Sequence, residues 1–427
     1  MDKLLQAGDT GYDEARSVWN AMVDRYPAAI ARCHDTADVV AAVRFAREAG
    51  LEIGVRCGGH SIAGHAVPDG GLMIDLTPMN AVRVDPDRQL AWVQGGALLG
   101  ELDEAAQRYG LATTAGNVSH TGVGGLTLGG GMGWLARQFG LACDNVASYE
   151  LVTADGDVVR ASADENAELF WGLRGGGGNF GIVTSFEFRL HHIGTRALVA
   201  EFTYPSSAGF DVLRTWRELN ATAPRQATFT ASITPDAVTV GYVWVGDGGF
   251  ELLDAFRAMG PTDEQVEEMP YLTLQSRDDN VQGHRYRRYW KGHYFKALPD
   301  DAIRALLRTP GVSASLQAYG GAIADVPDDD AAFSHRDTLF EFVTATRWVD
   351  PAEDAARIGR LREYAATLAP YANGAYLNTL NGDAISRAFP PAKLTRLTAL
   401  KTAYDPANVF HLNQNIRPGG AATTDAA

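Results

Sequence analysis

The sequence predicts an α+β protein of two domains, and three observations lead there. Its 427 residues exceed what one hydrophobic core usually holds. Up to about residue 195, short apolar strands alternate with helices and glycine clusters, whereas over 196–395 the glycines thin out and amphipathic helices accompany strands of period two. The composition, 46% hydrophobic and 21% charged, is that of a globular protein with a large core.

Taken in order, the first strand lies at Ala28–Ala31. Asp35 and Thr36 cap a helix beginning at Ala37, whose Val39, Val40, Val43 and Ala46 share one face and which Gly50 stops. A second strand, Ile53–Val55, runs into Arg56-Cys57-Gly58-Gly59-His60-Ser61. Two adjacent glycines let backbone approach a bulky anionic group and aim amides at it. His60 is placed to touch whatever that loop cradles. Strands at Leu72–Leu76, Val82–Val84 and Leu90–Val93, separated by turns such as Pro86-Asp87, precede a helix over Leu99–Tyr109 that ends at Gly110.

The densest glycine region follows, from Ala115 to Trp134, with Gly116, Gly122, Gly125, Gly129, Gly131 and Gly133 among its glycines. Each glycine weakens a helix or strand, so a long ligand lying against bare backbone is expected here. A strand at Glu150–Thr153 turns at Asp155-Gly156 into Val158–Arg160. Farther on, Gly176-x-Gly178-x-x-Gly181 matches the dinucleotide pattern letter for letter. That fingerprint requires a strand before it and a helix after it. Here an alternating strand, Ile182–Leu190, follows, which disfavours NAD binding of that kind.

In the second region Phe210–Asn220 is a helix, and Thr228–Ile233 with Val238–Val245 form an antiparallel hairpin across Pro235-Asp236. The aromatic and basic run Arg285–Phe295 is expected at a pocket wall or core edge. Helix Ile303–Leu307, strands Ser315–Tyr319 and Leu339–Thr346, and helix Pro351–Leu368 complete the layer. A helix then breaks at Asp405-Pro406, and Asn413 and Asn415 share one face of an extended segment. The tail from Pro418 to Ala427 is expected to be disordered.

A net charge of -15 argues against partners that present phosphate backbones or anionic membranes. The N-terminal residues show neither the basic nor the apolar region of a secretory signal, and no run of about 18 apolar residues occurs. A cytoplasmic protein is therefore expected. The three cysteines, Cys33, Cys57 and Cys143, are too widely spaced for a disulfide framework or a zinc site. His60 and His65 lie in a glycine loop rather than on a helix face, so no metal is expected.

Four segments, Arg56–Ser61, Gly122–Trp134 with Gly140–Asn145, Arg174–Thr184 and Tyr404–Asn415, together resemble the berberine-bridge-enzyme-like branch of the FAD-linked oxidases, in the vanillyl-alcohol-oxidase superfamily. They span nearly the whole chain in the family's order. The resemblance implies a PCMH-type FAD-binding domain, residues 1–195 completed by 396–427. It implies a substrate domain over 196–395, an antiparallel sheet backed by helices. It implies that His60 carries an 8α link to FAD. The pyrophosphate would lie on amides of Arg56, Cys57, Gly58, Gly59 and Ser61 and of the Gly122–Gly131 region, with Gly116, Val118, Thr121, Gly122, Gly125, Leu128, Gly129, Gly131, Gly133 and Trp134 among the cofactor-binding residues. Ile182 and Val183 would touch the cofactor by backbone, with Asn413 and Asn415 near the ring and ribityl chain.

Three departures from the family pattern matter. Many relatives carry a second link through a cysteine at the place of Val118, so a flavin without a 6-S-cysteinyl bond is expected. The family's Tyr-x-Asn-Tyr run is Tyr376-Leu377-Asn378-Thr379 here. Threonine is too weak an acid to serve as the base near neutral pH, which leaves His120, Tyr376, Tyr319, His335 and His293 as candidates. Thr121, a small side chain before Gly122, resembles the pattern that admits dioxygen.

The expected activity is an oxidase that takes a hydride from an alcohol, sugar or secondary-metabolite substrate and yields hydrogen peroxide. Aromatics such as Tyr289, Trp290, Tyr294 and Tyr319 would shape the pocket, and Lys291, His335 and Arg336 would orient polar groups. The alternatives are a dehydrogenase using another acceptor and a flavin-bearing metabolite-binding protein without turnover.

Overall fold

The computed structural model describes residues 4–279, 283–308 and 311–420; of the tail expected to be disordered, 421–427 lie outside the described residues. Two main sheets and a two-stranded pairing of Leu111–Ala112 with His191–His192 build the first half. Ala29–Arg32, Leu72–Asp75 and Ile53–Arg56 form a parallel sheet with Leu72–Asp75 at its centre, fully buried. The helix Thr36–Ala49 covers it with Val39, Ala42, Val43 and Ala46. Asp35 caps that helix by accepting from the Asp38 amide, and Gly50 ends it at φ 65°. The second sheet is antiparallel, in the order Val82–Asp85, Leu90–Gln94, Ile182–Arg189, Val146–Val152, Val158–Ser162. The literal dinucleotide pattern is thus followed by a strand, and the rejection of the Rossmann reading stands.

From Arg196 the chain builds one seven-stranded antiparallel sheet. Its order is Asp263–Pro270, Arg196–Pro205, Ala237–Val245, Ala227–Ile233, Ser313–Ala318, Phe340–Trp348, Arg287–Phe295. Helices Gly209–Thr222, Asp300–Leu306 and Asp354–Leu368 bury Trp216, Ile303, Leu306, Leu361 and Tyr364 against one face. Side chains alternate across a strand. The opposite face therefore carries the row Tyr294, Glu341, Gln317 and Thr230, adjacent partners on four neighbouring strands. That face looks toward the first half. The chain re-enters the first core early, because Ala375, Leu377, Leu380, Ala388 and Phe389 pack with Leu99, Leu151 and Phe186. No described helix is long and apolar enough to cross a membrane.

The C-terminal helix Pro391–Tyr404 ends in a buried ion pair, which the sequence reading missed. Lys401 and Asp405 are both 0% exposed and 2.7 Å apart. The Lys401 ammonium also donates to the carbonyls of Asn179 and Phe410, and the Asp405 carboxylate accepts from the amides of Val409 and Phe410. This knot fixes the Asn-rich tail against the 176–181 loop. Removing one partner leaves an uncompensated buried charge, so Lys401→Ala is expected to cost about 3–5 kcal/mol in chemical denaturation.

Candidate functional site

The strand Ile53–Arg56 runs parallel to Leu72–Asp75, so the loop Cys57–Ser61 leaves the carboxyl end of that sheet, where α/β folds place ligands. Gly59 turns the loop at φ 68° and projects His60 onto Trp19. The two rings stack at 4.7 Å and 13°. The Arg288 guanidinium lies 3.8 Å from the Trp19 ring centroid, and Trp290 meets Trp19 edge-on at 5.5 Å. His60 Nε2 is 2.7 Å from His120 Nδ1, and His60 Nδ1 is 3.3 Å from Thr121 Oγ1. Burial, with His120 and Arg288 adding to it, pulls the His60 pKa down to about 3. The imidazole is therefore neutral, with a lone pair available, at any physiological pH.

Four anchors hold the loop that carries His120 and Thr121. Leu98 bridges Gly122, Leu99 N–H donates to Thr121 O at 2.9 Å, Gly100 N–H donates to Ser119 O at 2.8 Å, and Ser119 N–H donates to Asp279 at 2.9 Å. Val118 sits in the same turn, its carbonyl accepting from Thr121 N–H. Cys57 Sγ turns toward Ala97 O at 3.5 Å, and burial lifts its pKa to about 11, so the thiol is inert rather than nucleophilic. The two glycine loops touch backbone to backbone: a Cβ on Gly58 would lie 2.3 Å from Gly122 N. Gly58→Ala is expected to push them apart, with about 1–3 kcal/mol lost from overpacking. The ratio of flavin to protein absorbance in the purified variant should fall with it.

The glycines farther along serve the protein itself, which corrects the expectation of an open cradle over the whole stretch. A Cβ on Gly129 would meet the Asn378 amide at 2.1 Å, one on Gly130 the Phe333 ring at 2.6 Å, one on Gly131 the Ala142 side chain at 2.4 Å, and one on Gly133 the Ala115 carbonyl at 1.7 Å. The Gly130 and Gly131 amides already donate, to Thr127 O and to the Tyr376 hydroxyl. Gly116 packs on Leu126, whereas Gly125 and Gly178 have nothing within 4 Å of an added Cβ and remain open to a ligand. Leu128 gives its carbonyl to Gly177 N–H, and Trp134 gives its carbonyl to Thr228. Ile182 and Val183 are buried at the start of their strand.

Across from the histidine loop stands the polar row of the seven-stranded sheet. Tyr319 donates to Glu341 at 2.7 Å, and Tyr294 lies 3.5 Å from Tyr319 between hydroxyls. Burial raises the Glu341 carboxyl to about 7, only partly offset by the Tyr319 hydrogen bond. Asn117, three residues before His120, donates to Gln317 at 3.3 Å and so ties the loop to this row. Tyr376 accepts from Gly131 N–H and from Asn378, each at 2.9 Å, and burial holds its pKa far above the ordinary phenol value. Glu341 escaped the sequence reading. Its only signal was a carboxylate inside the apolar run Phe340–Val343.

Other expected site residues lie elsewhere. Alternation turns Tyr289 and Lys291 to the helix-covered face, where Tyr289 accepts from Arg362 at 2.8 Å and Lys291 pairs with Asp383 at 2.6 Å. Arg288, Trp290 and Tyr294 lie on the other face of that strand, Arg288 and Trp290 against Trp19 beside His60 and Tyr294 in the tyrosine cluster. Arg336 is committed to a buried pair with Asp144 at 2.7 Å, and His293 donates to Ala365 O at 2.8 Å on the far face. His335, at φ 64°, meets Tyr294 edge-on at 6.1 Å and donates to Arg387 O. Asn413 donates to the carbonyls of Gly178 and Phe410, each at 3.0 Å.

A cavity of about 850 Å³ runs along the histidine loop, lined by Trp19, Arg56, Gly58, His60, Glu101 and His120. The buried Asn117, Asn413 and Asn415 side-chain oxygens, Trp19 Nε1 and Arg56 Nε lack a partner among the described residues. Each such group costs about 1–3 kcal/mol when unmatched. A long ligand with phosphates, hydroxyls and carbonyls matches them, so the residues present fit FAD. Among the described residues no group of three or more His, Cys, Asp or Glu is placed to hold a metal.

Comparison with known proteins agrees. Residues 27–162 match the family model of an FAD binding domain, and 375–417 match the model termed berberine and berberine like. An FAD-linked oxidoreductase of Dictyostelium discoideum is 33% identical over 94% of this chain and 91% of its own length. The (R)-6-hydroxynicotine oxidase of Paenarthrobacter nicotinovorans is 31% identical over 98% of this chain and 97% of its own. The solved structure of glucooligosaccharide oxidase from Acremonium strictum, whose FAD is 6-S-cysteinyl and 8α-N1-histidyl, superposes with a TM-score of 0.89 at 26% identity over 97% of each chain. The chain belongs to the berberine-bridge-enzyme-like FAD-linked oxidases, two-domain α+β proteins of the PCMH type, and is an FAD-dependent oxidoreductase.

Proposed function

We propose that the protein is an oxidase of a small alcohol, sugar or secondary-metabolite substrate, with FAD held through a single covalent bond to His60. FAD supplies the two-electron acceptor, and dioxygen takes the electrons on to give hydrogen peroxide. The observation that carries this reading is that Asn117, in the loop of His120, bonds to Gln317, the cross-strand neighbour of Glu341, which joins the His60 side and the Tyr319–Glu341 pair across the interface between the two halves. Val118, apolar where many relatives carry the second attachment cysteine, supports one link rather than two. The neutral His60 is the form able to bond to carbon, and its contact with His120 supports proton exchange there more than a role for His120 as substrate base.

Tyr319 and Glu341 divide the remaining task. The substrate hydroxyl gives its proton to the Tyr319 oxygen as Tyr319 passes its own to Glu341, so the phenol never bears a full charge in a buried site. The carboxylate is competent because burial has raised it toward the working pH. Trp290 and Tyr294 offer the flat walls that sugar rings and aromatic scaffolds both use, and Thr121 beside His60 leaves room for dioxygen. The similarity to a nicotine oxidase and to a glucooligosaccharide oxidase supports a small-molecule substrate. The test is anaerobic reduction by a panel of sugars, alcohols and hydroxylated heteroaromatics, followed by stopped-flow mixing with air. Reoxidation on the catalytic timescale with stoichiometric peroxide is the expected result. Slow reoxidation in air would make the protein a dehydrogenase.

A further inference from the structure

We infer that a second cavity, on the face of the seven-stranded sheet away from His60, binds the phosphate group of a small metabolite. The cavity has a volume of about 450 Å³ and lies between the strand Arg287–Phe295 and the helix Asp354–Leu368, with the segment 372–387 closing one end. That volume is in the range of small-molecule sites. Ala365, Ala366, Ala369 and Ala372 line it, and their short side chains leave the space open.

Three cationic side chains, Lys291, Arg362 and Arg387, reach this cavity against one carboxylate, Asp383. Lys291 Nζ and Arg387 share that carboxylate, at 2.6 Å and 3.2 Å. His293 adds no charge. Its Nε2 is 2.8 Å from the Ala365 carbonyl, which can only accept, so Nε2 carries the proton. Nδ1 then offers its lone pair to Arg387, 2.6 Å away, and burial keeps the ring neutral by pulling its pKa down to about 4. Arg362 is oriented by its bond to the Tyr289 hydroxyl at 2.8 Å. The cavity therefore holds three cations against one carboxylate, two net positive charges, with Lys291 and Arg387 sharing Asp383 and Arg362 held by the neutral Tyr289, in a chain whose net charge is -15. A dianionic phosphate ester matches that charge and the forked geometry of guanidinium groups better than a monocarboxylate does. None of these groups faces the flavin side, so the site is separate from the oxidase reading and stands without it.

Isothermal titration of the flavin-loaded protein with inorganic phosphate tests this, with acetate and chloride at matched ionic strength as the other arms. Loaded protein is used because its pyrophosphate-binding loops are already filled. One saturable site for phosphate is expected, with acetate and chloride giving only dilution heats. Arg362→Gln should weaken phosphate binding about tenfold. Ala366→Leu, which keeps every charge and fills the space, should weaken it by as much. Both positions are on the exposed side of the helix, so both variants should fold, as an unchanged thermal midpoint would verify. Phosphate heats that superimpose on those of chloride, or variants that bind as the parent does, would overturn the inference. Acetate binding as tightly as phosphate would overturn its phosphate class.

Discussion

His60→Ala is expected to abolish the covalent flavin while leaving the protein folded. Denaturing gels of the parent should show a fluorescent band at the protein's mass, and the variant should show none. The substitution removes a ring that stacks on Trp19 and lies tilted against His120, but no buried charge, because the imidazole is neutral. A cavity of ring size costs about 1–3 kcal/mol, which a protein of this size tolerates. FAD should still occupy the loops by non-covalent contacts, in reduced amount. Turnover should fall by about tenfold, since the 8α bond withdraws electrons from the ring and its loss lowers the driving force for hydride transfer. Survival of the fluorescent band in the variant would refute the assignment of His60. A parent protein that releases all its flavin on acid precipitation would refute covalent attachment altogether.

Glu341→Gln is expected to lower the rate of flavin reduction by about 10²–10⁴-fold, the usual contribution of a positioned base. Glutamine keeps the volume and can still accept from Tyr319, but it cannot take a proton. In the parent, kcat/KM should rise through about pH 7, where the carboxyl becomes ionised, and the variant's profile should lose that rise. Stability changes in the opposite sense. The unfolded chain releases this proton near 4.5 and the native state near 7, so across that window the native state holds one proton more and stability falls as pH rises. The total is about 3 kcal/mol. The variant should therefore gain stability relative to the parent at pH 8 and gain none at pH 4, by chemical denaturation at each pH. A variant with parental activity and an unchanged pH profile would remove Glu341 from the reaction. Lost activity without the stability gain would point to misfolding of the row.

Several parts of this molecule were legible one segment at a time because short-range physics fixes them. The capped helix Thr36–Ala49, the hairpin at Pro235-Asp236 and the strand after Gly181 follow from spacing, caps and turns whose energies act within a few residues. His60 and the Asn413 pair were visible for the same reason, each standing beside glycines or on an extended run. Glu341 was not, because nothing local distinguishes a carboxylate on a solvated strand from one buried opposite Tyr319. Its pKa is raised by burial on a face chosen only when four strands align, against the smaller lowering by Tyr319, a neighbour 22 residues away.

The glycine stretch divides along the same line. Composition told that backbone there comes close to something. Tertiary packing decided that Gly129, Gly130, Gly131 and Gly133 approach Asn378, Phe333, Ala142 and Ala115, and that Gly58 and Gly122 approach each other. Tyr289 and Lys291 were likewise correct as members of a wall strand and misplaced as to face, since period two fixes alternation but not which side meets the cofactor. The sequence by itself determined the cofactor class and the two-domain α+β architecture, carried by short motifs each legible on its own. Only the tertiary structure decided which acid is buried near neutrality, which glycines serve packing, and that Lys401 with Asp405 ties the Asn-rich tail to the first domain. Those are contacts between segments far apart in the chain, and burial, which sets their energies, exists only once the chain has folded.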